Sequence, residues 1–495
     1  MKILVMQLAR FGDIFQTWPV VKSLKRNYPN AELHFLCRKT FSGAISPVNC
    51  LDKILQLDVE DNINFILEST SNEPDTSKIT NYLDGLKDEN YDQIINLSYS
   101  PLSSYITSYI SDEKTDVRGF TRHEDGALDI PDDPSALIYG QLGVYKFNRI
   151  HLTRLFSAVA GVDLLEEDWG VSEAILAEGA LRITNLPKRY LSVHIGGSTS
   201  EKLLFAEQWS EILNKLAKSN PELSFVLLGS SAEKEFSNKI AIDDSSRILN
   251  LVGETKLTDL FYIIKKSKVL VAPDSSLLHI ASLLDKQTIN LSFSNVNFWE
   301  TGPLSKNSFV IWNTQPSAID IDQLASSIDA ILSGRTVEGN HAKLNADSSV
   351  EAYELVGYED HSFQWNLIKA IYLGESFPIL DDMKVYTALK QLSELTDMVL
   401  RDLEMVRSGQ FQNIQLEIVN NVDQLIHTLE KLVPEIRPII WWFNTERLRI
   451  GPWDDQIVFD RNYEVFNQLR SLLAVYVGTT LIAPQVPPAD EAPEL

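Results

Sequence analysis

Three short segments of this chain place acids, hydroxyls and cations directly after apolar runs. In the first, Lys2–Leu8 opens into Ala9-Arg10-Phe11-Gly12-Asp13 and then a helix-period stretch. Gly12 lets a strand turn sharply into a helix, and Asp13 falls at the helix entrance. A carboxylate there can cap the helix or act as a general base at a cleft. In the second, Gly196-Gly197-Ser198-Thr199-Ser200-Glu201-Lys202 follows the run Arg189–Ile195. Small residues expose backbone N–H groups, hydroxyls donate and Lys202 supplies charge, which makes a phosphate cradle in chemical type. A surface loop is the plain alternative. In the third, Lys268–Asp274 leads into Ser275, Ser276 and, one turn on, His279. A helix starting at the serines attracts phosphate through its free N–H groups. A capped helix with a buried histidine is the alternative.

The elements that must position these residues follow a βαβ style. Lys2–Leu8 and Glu32–Cys37 read as strands separated by a helix, and Tyr91–Ser98 as another strand before a helix from Pro101 to Ile110. The second half repeats the pattern. Strands are expected at 189–195, 223–229, 268–274 and 287–293, with helices at 206–219, 257–265, 275–284 and 321–332. Such alternation predicts parallel sheets in an α/β fold, and two similar halves predict a cleft outside the carboxyl ends of their strands. Residues 71–78 and 123–134 read as loops, 161–188 as a linker and 335–350 as a polar tether. Beyond it, Val385, Leu389, Leu392, Leu395, Val399, Leu403 and Val406 recur at helical steps, as do Ile418, Val422, Leu425, Leu429 and Leu432. The proline-rich segment from Pro484 reads as disordered.

Composition narrows the function. The chain has 495 residues and 44% hydrophobic residues, ordinary for a globular protein of several domains. Its formal charge of −24 argues against nucleic-acid binding. Cys37 and Cys50 are too few for a disulfide scaffold or a four-thiolate zinc site. No dinucleotide-binding or P-loop glycine motif occurs, and no pair of histidines is spaced for a helical zinc site. Asp320-Ile321-Asp322 precedes a helical stretch, where Asp is a good cap. With no signal-peptide pattern and no long apolar run, the expectation is a cytoplasmic protein.

In order and spacing, these segments resemble glycosyltransferase family 9, the ADP-heptose:lipopolysaccharide heptosyltransferases. The resemblance lies in Gly12-Asp13, Thr17-Trp18-Pro19, Tyr28-Pro29-Asn30-Ala31, Tyr91–Leu97, Arg118-Gly119-Phe120, His194–Ser198 with Lys202, and Asp274–His279. It implies a GT-B fold, two Rossmann-like domains facing a cleft. Residues 1–170 would form the acceptor domain and 185–334 the donor domain. A helical accessory domain at 350–483 and a disordered tail at 484–495 would follow. It implies an inverting, metal-independent transfer of heptose from an ADP-sugar to lipopolysaccharide or another cell-envelope glycan, with no further cofactor. Asp13 would be the general base. Ser198, Thr199, Lys202, Ser275 and Ser276 would hold the diphosphate, Glu233 the ribose, Leu257 the base ring, and Asp274 and His279 the sugar. Arg10, Gly12, Ser103, Ser104 and Arg118 would meet the acceptor. Ser276 stands where the family usually has Gly, and Leu203-Leu204 replaces an aromatic–basic pair, so a different nucleotide sugar stays open as donor. Two other readings share the fold: a non-catalytic nucleotide- or glycan-binding scaffold, and a nucleotide-sugar epimerase.

The helical region lies outside the resemblance. Its readings are a structural or oligomerisation appendage, a contact with a partner or membrane, or a wall of the acceptor site. Trp441-Trp442-Phe443 beside Arg447 and Arg449 suits a lipid headgroup zone, although aromatics at such spacing more often form core, and the excess of Lys2, Arg10, Lys22, Lys25 and Arg26 over Asp13 in the first 30 residues suits either guidance of an anionic lipid acceptor or a plain solvated face.

Overall fold

A computed structural model describes residues 1–61, 76–142, 147–197, 199–293, 296–339, 341–344, 350–357, 362–409 and 416–477. The chain divides into two compact units, Met1–His361 and Ser362–Leu495. The tail at 484–495 lies outside the described residues.

The first unit holds two main sheets. β1 (Lys2–Met6), β2 (Glu32–Arg38), β3 (Lys53–Leu57), β4 (Gln93–Asn96) and β5 (Asp116–Gly119) run parallel in the order β3-β2-β1-β4-β5. β6 (Thr121–Arg122) and β7 (Leu128–Asp129) make a separate antiparallel pair. β8 (Tyr190–His194), β9 (Ser224–Leu228), β10 (Ile248–Asn250), β11 (Leu270–Pro273), β12 (Thr288–Phe293) and β13 (Phe309–Asn313) lie in the order β10-β9-β8-β11-β12-β13, again parallel. Helices cover both faces of such sheets, so their strands are apolar throughout: Ile3, Leu4, Val5 and Met6 of β1 are all fully buried. In each sheet the strand order reverses once, between β1 and β4 and between β8 and β11. Connections leave these two strands in opposite directions and open a crevice at their carboxyl ends.

Helices Pro101–Ile110, Ala206–Ser219 and Ile321–Leu332 fall where their periodicity predicts. Asp320 caps the last of these through the Gln323 N–H at 3.0 Å, a cap and not a metal ligand. Three expectations change. The stretch 161–188 carries a helix, Glu173–Arg182, packed on the helix Leu257–Lys266, so it is more than a linker. The boundary expected near 334–350 moves to 361. β14 (His341–Leu344) and β15 (Tyr353–Val356) extend the second sheet antiparallel from β13, with Val310 opposite Ala342. Strands of four residues are too short to leave a readable period amid polar sequence. The predicted loop at 123–134 contains β7 and the start of the helix Asp133–Gln141.

The two halves of the first unit meet along the helix Phe11–Asn27. Trp18 stacks on Phe261 with ring centroids 5.5 Å apart, and Phe15 meets the same ring edge-on at 5.9 Å. The Trp18 indole N–H donates to the Ala44 carbonyl at 2.9 Å. On the other side, Asn297 Nδ2 donates to the Asn148 carbonyl at 2.8 Å, and Asn148 Nδ2 donates to Glu300 Oε1 at 3.2 Å.

The second unit is helical. Its long helices Met383–Arg407 and Asp455–Val477 pack together around Leu389, Leu392, Leu469 and Leu473. The stripe from Val385 to Leu403 faces this core as expected. Among the described side chains of the helix Leu416–Leu432, Val422, Ile426 and Glu430 are buried, while Leu425 and Leu432 are exposed; the side chain of Ile418 lies outside the described residues. Phe443 is buried, Trp442 packs on the core and the Trp441 indole N–H donates to Glu430 at 3.1 Å. Arg447 pairs with Asp423 at 2.7 Å and Arg449 with Glu446 at 3.1 Å. Of the two readings of this aromatic–basic set, lipid contact or core, the structure has it engaged inside this unit. No described helix is long and apolar enough to cross a membrane.

Candidate active site

A cavity of 590 Å³ lies between the two halves of the first unit, at the carboxyl ends of β1, β8 and β11. Arg10, Gly12 and Asp13 line it from the first half. Lys202, Glu233, Asp274, Ser275, Ser276 and His279 line it from the second. Nine of the fifteen candidate catalytic, donor-binding and acceptor-binding residues therefore converge on one space.

Asp13 performs both tasks open to it in the sequence. It is the third residue of the helix Phe11–Asn27, and its Oδ2 accepts the Arg10 backbone N–H at 3.1 Å, closing the first turn. It also faces the cavity. Withdrawal from water raises its pKa above the ordinary 3.8, and the nearby Asp274 carboxylate adds to that; the Arg10 and Asp13 backbone N–H groups and the Arg10 charge oppose it. Gly12 gives the second half room to approach: a Cβ there would lie 3.2 Å from His279 Cδ2.

The helix Ser276–Leu283 starts at the cavity, and no side chain caps it. The Ser275 hydroxyl is turned instead to His194 Nδ1, at 3.0 Å. Its N-terminal N–H groups are left facing the space, the arrangement that receives an anion. Lys202 Nζ donates to Asp274 Oδ2 at 2.5 Å, and the Thr301 hydroxyl donates to Asp274 Oδ1 at 2.8 Å. Burial lowers the pKa of both His194 and His279 to about 4, so both rings are neutral at pH 7. Gln16 Nε2 lies 3.4 Å from His279 Nε2 across the two halves.

Glu233 caps the turn Ser231–Glu233, its Oε2 accepting the Ser230 backbone N–H at 2.6 Å and the Ser230 hydroxyl at 2.7 Å. Gly196 faces it so closely that an added Cβ would sit 2.9 Å from Glu233 Cδ. On the resemblance's expectation that Glu233 holds the ribose, Gly196→Ala should push this carboxylate aside and weaken nucleotide binding roughly tenfold. The neighbour is the end of a flexible side chain, so stability should change by less than about 1 kcal/mol. Calorimetric titration with ADP beside a thermal melt checks both halves.

Other expected contacts lie elsewhere. Ser103 is fully buried, its hydroxyl donating to the Ser98 carbonyl at 2.8 Å within the first turn of the helix Pro101–Ile110. Arg118 is held by Asp116 at 3.3 Å and by the Ala160 carbonyl at 3.2 Å, away from the cavity lining. Ser104 accepts from Arg122 Nε at 2.9 Å and borders a different cavity. Leu257 starts its helix near Gly43 and does not line the cleft. Thr199 is exposed and outside the lining. Ser198 lies outside the described residues. Four of the early bases are committed internally: Lys2 to Glu89, Lys22 to the Gly170 carbonyl, Lys25 to Asp52 and Arg26 to Asp168. His194, Gly196 and Gly197, from the second segment, also line the cavity, and Phe11, Gln16, Phe41, Ser230 and Thr301, to which the sequence reading gave no role, complete the lining. Each is an ordinary residue type that only proximity makes useful. The described His and acidic residues grouped as a metal could require are Glu32, His34 and Glu89. They sit around the amino-terminal start of β2, with Glu89 paired to Lys2 and Lys53.

The profile of glycosyltransferase family 9 (heptosyltransferase) matches residues 79–327, about half of the chain. The chain belongs to this family. As a family 9 member it is a glycosyltransferase. It is 20% identical over 305 residues to lipopolysaccharide heptosyltransferase 1 of Campylobacter coli, covering 59% of this chain and 83% of that one. Among solved structures it is similar to E. coli heptosyltransferase WaaC with ADP, at a TM-score of 0.52 and 15% identity, across 67% of this chain and all of that one. A family 9 glycosyltransferase from Veillonella parvula gives a TM-score of 0.50 at 14% identity, across 67% of this chain and 97% of that one. The shared architecture is GT-B, with the helical unit from Ser362 added to it.

Proposed function

We propose that this family 9 glycosyltransferase moves a heptose from an ADP-linked donor to a hydroxyl of lipopolysaccharide or another cell-envelope glycan, on the cytoplasmic side, with inversion and without a metal. One observation carries the reading: Asp13 of the first half shares a single cavity with Lys202, Asp274, His279 and an uncapped helix N-terminus of the second. The family match and the relative from Campylobacter coli, named as a heptosyltransferase, support the donor class.

In this reading the diphosphate lies against Lys202 and the N–H groups at Ser276, and Glu233 takes the ribose hydroxyls. Asp274 and His279 hold the transferred sugar. Asp13 removes the proton from the acceptor hydroxyl, whose oxygen bonds to the anomeric carbon from the face opposite the diphosphate. The bond to the diphosphate oxygen breaks, and ADP leaves with the electron pair. Fixed donors aimed at that oxygen stabilise the charge as it develops. A carboxylate withdrawn from water is a stronger base than a free one, which suits its proposed task.

The test is a donor panel including ADP-heptose, scored by nucleotide release and by the anomeric configuration of the product. Release with an inverted linkage is expected. Tight nucleotide binding with no sugar transferred from any donor would overturn the reading in favour of a non-catalytic scaffold.

A further inference from the structure

One side chain of the first half bears on both Asp274 and His279 of the second. His151 caps the helix Leu152–Ala160, its Nδ1 accepting the Thr153 backbone N–H at 3.2 Å. Its Nε2 lies 3.0 Å from the Gly302 carbonyl oxygen. A backbone N–H only donates and a carbonyl only accepts, so these partners fix the ring, with the lone pair on Nδ1 and the proton on Nε2. The ring is 1% exposed. Burial, with His279 nearby, lowers its pKa to about 3, so it is neutral at pH 7.

Gly302 directly follows Thr301, whose hydroxyl donates to Asp274 Oδ1 at 2.8 Å. It ends the short helix Phe298–Thr301, its N–H donating to the Phe298 carbonyl at 2.8 Å. The Tyr353 hydroxyl donates to the Pro303 carbonyl at 2.8 Å, and an added Cβ on Gly302 would collide with Tyr353. The turn that carries Thr301 is thus held at successive peptide groups, one of them by His151. His151 also meets His279 directly, with ring centroids 6.5 Å apart and the rings at 71°. It does not line the cleft, so it acts only through these neighbours.

The join between the halves does not depend on this ring alone. Asn148 is bonded to Asn297 and Glu300, and the Arg149 guanidinium lies 4.8 Å from the Trp299 ring centre. A change at residue 151 therefore leaves neighbouring ties in place.

We infer that His151 is a positioning residue of the transfer: its Nε2–H sets Gly302 and Thr301, and through them Asp274, while its ring braces His279, so the pair that takes the sugar is aligned by the half that carries Asp13. The inference deepens the transfer proposed above and rests on it for the assignment of the sugar to Asp274 and His279.

Two variants separate the two ring nitrogens. Asn puts an oxygen near the Nδ1 position and is a good helix cap, but it is too short to reach Gly302. Gln puts an amide nitrogen near the Nε2 position and caps poorly. Calorimetric titration of the full chain with ADP and with ADP-heptose, beside thermal melts and steady-state transfer, reads both. His151→Asn should weaken ADP-heptose roughly five- to tenfold, leave ADP within about twofold and melt near the wild type. His151→Gln should melt lower yet bind ADP-heptose within about threefold of the wild type. Donor kcat/KM should follow the ADP-heptose affinities. A merely structural role would give the reverse order, with the poorly capped Gln variant the weaker binder. That order, equal weakening of ADP and ADP-heptose, or unchanged ADP-heptose binding and kcat/KM in the Asn variant would overturn the inference and leave the transferase reading standing. A wild type that transferred no heptose and bound ADP-heptose no differently from ADP would instead remove the sugar site, and the role of His151 with it.

Discussion

Asp13→Asn is expected to slow transfer roughly 10²–10⁴-fold while leaving ADP affinity within about twofold. A thousandfold loss corresponds to about 4 kcal/mol of barrier. The amide keeps the length of the side chain and one acceptor, so the Arg10 N–H at 3.1 Å need not lose its partner. What disappears is the lone pair basic enough to take a proton. Steady-state nucleotide release, with ADP titration alongside, checks the split. The wild-type rate should also rise with pH as Asp13 ionises, with its midpoint displaced above 3.8 because burial raises that carboxyl. The Asn variant should lose that rising limb. Stability should move the other way. A carboxyl whose folded pKa exceeds its unfolded value makes the folded state bind more protons. Its contribution is most favourable below the unfolded pKa and declines as pH rises through the folded one. Above that window the wild type bears the full cost of a charged, withdrawn carboxylate, and the Asn variant does not. Its melting temperature at neutral pH should equal or exceed that of the wild type, and a clear fall would count against the burial argument.

Lys202→Met is expected to reduce ADP affinity roughly 10- to 150-fold, the equivalent of losing a charged hydrogen bond worth about 1.5–3 kcal/mol. Lys202 is tied to Asp274 at 2.5 Å, and both side chains are largely buried. The variant therefore also strands Asp274, with the Thr301 hydroxyl at 2.8 Å as its remaining partner among the described residues. A stability loss of about 1–3 kcal/mol should accompany the binding loss. Lys202→Met with Asp274→Asn separates the two effects: the double variant should recover stability and not ADP affinity. If the double variant bound ADP as tightly as the wild type, Lys202 would not be the phosphate-holding cation. Titration calorimetry and denaturant melts read both quantities.

The two variants probe opposite walls of one cavity, and how far those walls were legible in sequence differs. Gly12-Asp13 and Asp274–His279 stand out locally. A glycine at a strand-to-helix turn and serines before an apolar helix have consequences that hold wherever the chain goes. The same locality explains the misplacements. Ser103 and Arg118 are of the right type near the right strands, yet Ser103 is spent on its own helix turn and Arg118 on Asp116 and Ala160. Nothing local distinguishes a committed arginine from an available one.

Alternating apolar runs and helical periods over residues 2–332 determined on their own that the first unit is α/β with parallel strands. The reason is that each run must bury both faces and each return must cross a sheet. The helical stripe from Val385 to Leu403 likewise determined its own inward face. The tertiary structure alone decided which polar groups meet. Residues hundreds of positions apart, such as Gln16 and His279 at 3.4 Å, come together because both sheets reverse their strand order at the same crevice. Short strands such as β14 and β15 also needed it, because their pairing energy comes from the free edge of β13 and not from any pattern of their own.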